Sequence, residues 1–405
     1  MKKTTVAVFF GIKSFEHDVS ILTGLEACRM LDTEKFNVVP VYIDLKNQMW
    51  VGDALLNKKT YPLNDYNKRL LGKARILVGE KRPTILVTEM GFVFLKTKKI
   101  YFDVALLAFH GGYGENGSIQ GLCELAGIPY TGCRHLSSAI CMNKSISKRL
   151  VKLVGIPVLD EIILKRPDDN EFYNIEKVTE RVIFPFPVIV KPVSLGSSIG
   201  VSKASDRSEL NASVLGVFAL GDDAMVEPFV ENLEEYNVSV TKVFTGKTSP
   251  SVVEKPIRKG ASFLGFVEKY LAGGTKGGVK KAGSKLDYTE NAGMINITRE
   301  YNPKDLSNEE LIHLKEMAVK IFDVLGCNGV VRIDFMCNSK TREFYFGELN
   351  TIPGSMSYYL WEGSEPSYSY TDLLTAMVDE AIVLSRFRSG DVILSASNSE
   401  IFNEK

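Results

Sequence analysis

The stretch from Val330 to Gly354 reads VVRIDFMCNSKTREFYFGELNTIPG, and it is the best starting point for the fold. Two apolar runs, Val330 to Phe335 and Phe344 to Leu349, flank a polar break at residues 338–342. An apolar run, a short polar break and a second apolar run are the pattern of a β-hairpin. The sequence therefore predicts two adjacent antiparallel strands here.

Four polar side chains interrupt these apolar strands: Arg332, Asp334, Glu348 and Asn350. Residues two apart on a strand point to the same face, so they form two matched polar pairs. Two carboxylates and an amide oxygen on neighbouring strands are the hard ligands that Mg²⁺ takes while it also holds phosphates. A structural salt bridge from Arg332 to Asp334 or Glu348 explains the same residues, because buried charges need partners. The hairpin alone leaves both interpretations open.

Bulk properties limit the class of protein. The chain has 405 residues, which predicts two or three domains, and its 45% hydrophobic and 24% charged residues indicate a globular protein. Equal numbers of basic and acidic residues, 49 of each, remove the usual electrostatic reason to expect nucleic acid or a membrane as partner. No apolar run approaches about 20 residues, and the start, MKKTTVAVFFG, leads directly into strand-like sequence, which predicts a cytoplasmic protein. Six cysteines without a Cys-x-x-Cys pair predict buried free thiols.

The first 43 residues predict a strand, a helix and a second strand, hence a parallel sheet, at Thr4–Phe10, Ser20–Leu31 and Phe36–Ile43. Glu16, His17 and Asp18 follow the carboxyl end of the first strand, where open α/β sheets bind ligands. A solvated acidic first turn of a helix explains them equally well. Residues 47–99 are less regular and are interpreted as peripheral decoration of this domain.

A further strand is predicted at Val104 to Phe109, where a continuous apolar run indicates burial on both faces. It is followed by His110 and the glycine-rich GGYGENG, which includes Glu115. A lone histidine is more often a satisfied loop residue, but its place at the end of a strand favours a ligand role. The helix predicted from Ser137 to Val154 carries Lys144, which by itself reads as a surface lysine.

The segment KPVSLGSSIG begins at Lys191, directly after the strand predicted at Phe186 to Val190. A lysine followed by glycines and hydroxyl residues can cradle phosphate with backbone N–H groups, although the order differs from a Walker A loop. Glu227 and Glu234 follow; they are interpreted as ligands of a nucleotide's amino group and ribose, or as exposed residues. Strands are predicted at Ala224–Glu227, Tyr236–Phe244 and Ser251–Ile257.

The stretch from Arg258 to Arg299 is rich in glycine and lysine and has no regular pattern, so it is either a functional lid or a disordered segment. A capping box, Ser307 to Glu310, predicts a helix that runs to Leu325, and Thr371 to Phe387 is a further amphipathic helix. Residues 389–405 are interpreted as a polar tail.

Six blocks in this order carry a family resemblance: GIKSFEHDVS at 11, HGGYGENGSIQGLCELAGIPYTG at 110, MNKSISK at 142, KPVSLGSSIG at 191, EKYL at 268, and RIDF with ELNTIPGS at 332 and 348. From Gly11 to Leu360 the chain resembles the D-alanine:D-alanine ligases of the ATP-grasp superfamily. The resemblance implies an α/β (α+β) fold in which two α+β subdomains sandwich ATP. A Rossmann-like domain (1–135) would bind the first substrate, followed by a central subdomain with the phosphate loop (136–235), a C-terminal subdomain with lid and Mg²⁺ site (236–389) and a tail (390–405).

The resemblance also implies roles for individual residues. ATP would contact Lys144, Lys191, Gly196, Ser198, Gly200, Glu227, Glu234 and Lys269. Two Mg²⁺ ions, for which Mn²⁺ can substitute, would bind Asp334, Glu348 and Asn350. Arg332 and the Gly354 amide would face the reacting carbonyl, while Glu16 anchors the first amino acid's ammonium and is linked through Ser197 to Tyr270. His110 would lie near the first substrate's carboxylate, and Tyr359 and Leu360 at the second substrate.

The implied activity is the ATP-dependent joining of two D-alanines into D-alanyl-D-alanine for peptidoglycan, through an acyl phosphate. A cytoplasmic homodimer that binds neither nucleic acid nor membrane is expected. Three departures from the family concern Leu195 in the phosphate loop, the residues around Lys269 and Tyr270, and Tyr358 with Tyr359 in place of a small hydroxyl residue. The alternatives are D-lactate, D-serine or another amino acid as acceptor, and a non-catalytic ATP-binding protein, which the intact lysine and metal residues argue against.

Overall fold

A computed structural model describes residues 3–90, 95–168, 173–257 and 299–388 of the chain. Its strands form three sheets of seven, four and five strands, and each sheet comes from a later part of the sequence than the one before. Short 3₁₀ turns lie at Asp53–Leu56, Lys58–Thr60, Gly112–Gly114 and Gly354–Ser357. None of the described helices is long and apolar enough to cross a membrane.

The first sheet has both parallel and antiparallel strands: β1 (Thr4–Gly11), β2 (Phe36–Ile43), β3 (Met49–Val51), β4 (Gly72–Leu77), β5 (Thr84–Met90), β6 (Leu95–Tyr101) and β7 (Val104–Leu107). Their order is β6-β5-β4-β3-β2-β1-β7, with β1 parallel to both β2 and β7, so the parallel unit predicted from the sequence is confirmed. The helices here are α1 (His17–Met30), α2 (Asp65–Lys68) and α3 (Ser118–Leu125). Residues 47–99 are more regular than the sequence indicated, because four antiparallel strands extend the sheet there.

The second sheet is antiparallel throughout and contains β8 (Ile162–Leu164), β9 (Val188–Pro192), β10 (Ser202–Ala204) and β11 (Ala224–Pro228) in the order β10-β9-β11-β8. The helices in this part of the chain are α4 (His135–Met142), α5 (Lys144–Leu153), α6 (Ile175–Thr179) and α7 (Arg207–Ala219). The single helix predicted at 137–154 is therefore wrong in one respect: it is divided at Asn143. The Asn143 side chain accepts a hydrogen bond from the Ile146 N–H at 3.0 Å and so caps α5.

The third sheet is also antiparallel: β12 (Leu233–Thr241), β13 (Ser249–Pro256), β14 (Arg299–Tyr301), β15 (Val330–Asn338) and β16 (Glu343–Asn350), in the order β14-β13-β12-β15-β16. Among the described residues, the helices that accompany it are α8 (Asn308–Val324), α9 (Tyr358–Glu362) and α10 (Tyr370–Arg388). The predicted capping box is confirmed, since Ser307 and Glu310 hydrogen-bond each other's backbone at the start of α8.

The predicted hairpin is β15 and β16, and it contains a bulge that the sequence did not indicate. Asp334 pairs with Glu348, but the next residue, Phe335, pairs with Phe346, so Gly347 is the extra residue. A Cβ atom at position 347 would lie 2.8 Å from the Asp334 carbonyl oxygen, which explains why a glycine is needed. The bulge shifts the alternation of β16, so that Phe346 and Leu349 are both buried while Glu348 lies between them on the open face.

The buried residues form separate cores. The second sheet has its own core, which includes Leu164, Val188, Val214 and Val226. The core of the first sheet extends into residues from the end of the chain, because Leu374 and Val378 of α10 are completely buried against it. All six cysteines are buried and free, as predicted.

Candidate active site

The second and third sheets face each other across a cleft of about 1220 Å³ that is open to solvent. Its apolar part is lined by Ile189 and Phe229 on one side and by Leu233 and Met336 on the other. Apolar walls with a few convergent polar groups are typical of a site for a flat heterocyclic ligand. Lys191 and Glu227 of the second sheet and Asp334 and Glu348 of the hairpin line the same cleft.

A row of polar side chains crosses four adjacent strands of the third sheet. Glu254 on β13 pairs with Asn237 on β12, Asn237 with Asp334 on β15, and Asp334 with Glu348 on β16. The Asn237 side-chain amide donates to Glu254 at 3.1 Å, and Asn350 Nδ2 lies 3.3 Å from Asp334 Oδ2. The polar row therefore begins at Glu254 on β13 and ends at Glu348 on the hairpin.

Cations lie next to both predicted metal-binding carboxylates. Arg332 donates to the two oxygens of Asp334 at 2.7 and 2.8 Å, so the salt bridge considered from the sequence is present. Lys144 Nζ lies 3.5 Å from Glu348 Oε2. No three His, Cys, Asp or Glu residues in the described ranges form a metal-binding group. Two carboxylates and an amide oxygen fit Mg²⁺, which also takes water and phosphate oxygens, and the metal role of these residues stays a prediction.

A buried charge cluster lies on the second-sheet side of the cleft. Glu227 accepts from Lys191 at 2.6 Å and from Lys148 at shorter range, and Lys148 also lies 3.3 Å from Glu161. Burial alone would raise the pKa of Glu227, but the two ammonium groups outweigh it and lower the pKa. Glu227 is therefore ionised at neutral pH and holds two lysines in fixed positions. The predicted roles of Glu227 and Lys191 toward ATP are consistent with this placement and stay predictions.

Glu234 and Glu235 lie on opposite faces of β12. Glu234, predicted to hold the ribose, lies on the face of β12 that points away from the cleft, where it accepts from Tyr236 at 2.7 Å and pairs with Lys255 at 3.0 Å. The adjacent Glu235 lines the cleft. Neighbouring residues on a strand point to opposite faces, so a difference of one position decides which carboxylate reaches a ligand. Glu235 is therefore the better placed of the two for a contact with a ligand in the cleft, and the ribose contact itself stays a prediction.

The predicted phosphate loop connects the cleft to the first sheet. Lys144 donates to the Leu195 carbonyl oxygen at 2.5 Å and is only 9% exposed, so its interpretation as a surface lysine is wrong. Ser197, Ser198 and Gly200 all have positive φ, at 52°, 57° and 71°. The Ser197 hydroxyl donates to Glu16, which confirms the predicted link between these two residues. Gly196 also lies against Glu16.

A second, smaller chamber lies between the first sheet and the hairpin. Glu16, Glu115, Lys144 and Asn350 line it, and Glu348 lines both this chamber and the large cleft. Glu16 is buried, and a Cβ at Gly111, whose φ is +68°, would lie 2.6 Å from the Glu16 carboxylate. A buried carboxylate in a small polar chamber is suited to an ammonium group.

His110 is buried beneath this chamber rather than exposed in a loop. Its Nε2 lies 2.8 Å from the Thr23 hydroxyl, and its ring also hydrogen-bonds the Ile352 backbone. Burial, together with the nearby Arg332 charge, lowers the pKa of His110 to about 3. The ring is therefore neutral at physiological pH, and its predicted contact with a substrate carboxylate stays a prediction.

The segment after β16 contains the remaining predicted residues. Gly354 begins a buried 3₁₀ turn, and Tyr359 and Leu360 are buried on α9. The Arg299 guanidinium lies 3.8 Å from the centre of the Tyr359 ring and also pairs with Glu254 at 2.8 Å. Arg299, Glu254 and Tyr359 all line the cleft beside Arg332. Lys269 and Tyr270 lie outside the described residues.

Sequence reasoning also missed Lys148, Glu115 and Arg299. Lys148 follows Lys144 by four positions, so both lie on one face of α5, and that spacing was a usable signal. Glu115 was noticed among the glycines but was given no role. Arg299 adjoins an irregular stretch, and nothing in its local sequence indicates that it reaches the cleft.

Two α+β units that enclose a cleft between antiparallel sheets, with lysines on one side and paired carboxylates on the other, define an ATP-grasp ligase. Family models agree: residues 5–133 match the model described as D-ala D-ala ligase N-terminus, and residues 150–285 and 275–379 match D-ala D-ala ligase C-terminus. The chain belongs to the D-alanine–D-alanine ligase family, and the resemblance seen in its motifs is confirmed.

Individual relatives match over nearly the whole chain. The D-alanine–D-alanine ligase of Thermosipho melanesiensis is 32% identical over 394 residues, which cover 97% of each chain. The one from Legionella pneumophila (strain Corby) is 30% identical and covers 94% of this chain and 96% of its own. Among solved structures, the D-alanine-D-alanine ligase from Coxiella burnetii has a TM-score of 0.74 at 24% identity, covering 96% and 97% of the two chains. VanG D-Ala:D-Ser ligase from Enterococcus faecalis has a TM-score of 0.72 at 25% identity, covering 94% and 100%.

Proposed function

We propose that this protein joins two molecules of D-alanine to give D-alanyl-D-alanine, with ATP converted to ADP and phosphate. The first carboxylate takes the γ-phosphoryl group, and the amine of the second amino acid then displaces phosphate from the acyl phosphate. Family membership supports ATP as co-substrate and D-alanine as substrate. The dipeptide would serve as a peptidoglycan precursor.

One observation carries the proposal: Glu348 lines both the large cleft and the small chamber. A nucleotide held in the cleft and an amino acid held by Glu16 would therefore meet at the hairpin. Transfer of a phosphoryl group requires its donor and acceptor to be held in line at close range, which a shared wall between two sites provides.

The chain's own residues account for most of the chemistry. Lys144 and Lys191 offset the negative charge that builds up when a carboxylate meets a phosphate. Glu16 orients the first amino acid through its ammonium. Arg332 and the Gly354 N–H stabilise the oxyanion that forms when the amine attacks, and one such donor is typically worth about 3 to 4 kcal/mol.

Asp334, Glu348 and Asn350 would hold Mg²⁺. When bound, the metal neutralises phosphate charge and orients the transferred group. The donor set fits this ion because it consists of two carboxylates and an amide oxygen on adjacent strands. Arg332 and Lys144 lie at the same carboxylates, so both cations are next to the residues that would hold the metal.

A different acceptor is the second candidate function. Tyr359 stands where the family often has a small hydroxyl residue, and it stacks against Arg299 beside the reacting region. One structural relative is described as a D-Ala:D-Ser ligase. Competition between D-alanine, D-serine and D-lactate across pH, with products separated by mass, distinguishes the acceptors.

The decisive experiment measures phosphate release and dipeptide formation by the purified protein with ATP, Mg²⁺ and D-alanine. We expect turnover that depends on all three. Glu348→Gln should lower kcat at least 100-fold, whereas Glu343→Gln, a matched change at an exposed position of the same strand, should leave it within twofold. Turnover with other amino acids alone would refute the substrate, and an active Glu348→Gln variant would refute the metal assignment.

The resemblance also supports two finer proposals, that the protein is a homodimer and that it works in the cytoplasm. Sedimentation equilibrium of the full chain tests the first, and fractionation of cells tests the second. A sedimenting mass near 45.0 kDa, the mass of one chain, would refute the dimer.

A further inference from the structure

The turn that contains Gly354 has an unusual backbone. The three residues after Gly354, namely Ser355, Met356 and Ser357, have φ of +46°, +52° and +51°. Left-handed conformations cost residues other than glycine about 1 to 2 kcal/mol each. A turn with three of them in succession persists only if its surroundings hold it in place.

The surroundings that hold the turn belong to α1 and to the segment after β7. The Ser355 hydroxyl donates to Glu26 at 2.5 Å, and the Ser355 N–H lies 3.5 Å from the Thr23 hydroxyl oxygen. His110 hydrogen-bonds the backbone of Ile352, two residues before Gly354. The part of the protein that binds the first amino acid therefore also shapes the turn.

Glu115 makes the most complete set of these contacts. Its Oε2 accepts from the Gly111 N–H at 2.7 Å, and its Oε1 accepts from the Ile352 N–H at 3.1 Å and the Thr351 hydroxyl at 3.2 Å. One half-buried carboxylate thus connects the glycine-rich loop beside Glu16 to the residues that lead into Gly354. Three donors converge on its two oxygens, which only an ionised carboxylate satisfies fully.

We propose that Glu115 is a positioning residue, which fixes the Gly354 N–H where the reacting carbonyl oxygen must lie. This inference rests on the proposed function, because it assigns Glu115 to the same carbonyl as Gly354 and Arg332. Ile352 is separated from Gly354 only by Pro353, so a shift at Ile352 is transmitted along a stiff connection. A displacement of about 1 Å at a reacting centre can cost about 100-fold in rate.

The test compares Glu115→Gln with a matched control, Glu380→Gln. Glu380 is also a half-buried carboxylate that accepts a backbone N–H, that of Gly329 at 2.8 Å, and this hydrogen bond does not involve the turn. Glutamine has one acceptor oxygen, so Glu115→Gln turns an NH₂ group toward one of three donors, whereas Glu380→Gln removes the charge but can keep its oxygen on the Gly329 N–H. Assays at pH 8.5 keep Glu115 ionised, since its pKa is raised to about 7.

We expect Glu115→Gln to lower kcat by about 10- to 100-fold with the KM for ATP within twofold of wild type. Binding of a phosphinate analogue of the tetrahedral intermediate should weaken by the same factor, while binding of ADP stays unchanged. Glu380→Gln, which also removes one carboxylate charge, should keep kcat and phosphinate affinity within twofold, and the urea stability of both variants is measured alongside.

The possible outcomes distinguish failure of the positioning role of Glu115 from failure of the proposed ligase function. If the wild type is active and Glu115→Gln keeps kcat and phosphinate affinity within twofold, the positioning role is refuted and the proposed function stands. If both variants lose activity equally, in proportion to their loss of stability, Glu115 is merely structural. A wild type without any ligase turnover would refute the proposed function, and this inference with it.

Discussion

The charge cluster at Glu227 gives the sharpest energetic prediction. We consider Glu227→Gln, which removes the negative charge but keeps the size of the side chain. Glu227 is 2% exposed and contacts both Lys148 and Lys191. The substitution leaves Lys148 with Glu161 at 3.3 Å, whereas Lys191 loses the carboxylate that lay 2.6 Å away.

The magnitude follows from this imbalance. Removing one partner of a buried ion pair typically costs about 3 to 5 kcal/mol, because the other charge stays buried without compensation. We expect a loss in that range for Glu227→Gln. Lys148→Met should cost less, about 1 to 3 kcal/mol, because Glu227 keeps Lys191. In the double variant the two losses should not add, with a coupling free energy of at least about 1 kcal/mol.

Urea denaturation followed by circular dichroism measures these free energies of unfolding. The pKa of Glu227 is lowered in the folded protein, so its contribution is present above the unfolded pKa of about 4.3 and is lost as pH falls through the folded pKa. The difference between wild type and Glu227→Gln should therefore be largest near pH 7 and shrink in acid. Additive losses, or a Glu227→Gln variant as stable as Lys148→Met, would refute the reasoning.

Three further predictions concern the ligand sites. Glu235→Gln should raise the KM for ATP about tenfold, whereas Glu234→Gln, its neighbour on the opposite face of β12, should leave it within twofold; equal effects would contradict a ligand contact of Glu235 in the cleft. The pKa of Glu115 is raised to about 7 by burial and by the Glu16 charge, so the stability that its proton provides is present below about pH 4.3 and is lost as pH rises through 7. Urea titrations at a series of pH values give the free energy of unfolding as a function of pH. For Glu115→Gln this free energy should lack the decrease between about pH 4.3 and 7, and a pH dependence equal to that of the wild type would contradict the prediction. Tyr359→Ser removes a buried ring beside Arg299, so the ratio of kcat/KM for D-valine to that for D-alanine should rise about tenfold; a constant ratio would show that Tyr359 does not limit acceptor size.

The hairpin was predictable because its signal is local. Alternation of apolar residues with Arg332 and Asp334 specifies one strand and the face of its polar side chains. The bulge at Gly347 was not predictable, because it depends on the partner strand, and a bulge reverses the faces of every residue on one side of it. The same sensitivity to register separates Glu234 from Glu235, since the two lie on opposite faces of β12 and only Glu235 lines the cleft.

Burial and long-range contact account for the rest of what the sequence concealed. Lys144 reads as a surface residue along its helix, yet residues 51 positions later supply the carbonyl oxygen that it contacts. Glu115 lies in a glycine-rich loop whose partner, Ile352, is 237 positions away. Residues so far apart in the chain produce no local sequence pattern. These contacts could therefore be identified only from the fold or from the family resemblance.

The burial of α10 against the first sheet has a consequence for how the chain is made. Leu373, Leu374 and Val378 complete a core whose other members come mainly from the first 130 residues. The ribosome releases the first sheet long before it releases this helix, so part of the sheet's apolar surface stays uncovered during most of synthesis. Expression of the first sheet alone is therefore expected to yield a fragment that aggregates. The nascent chain is expected to need a chaperone on this surface until α10 has been synthesised.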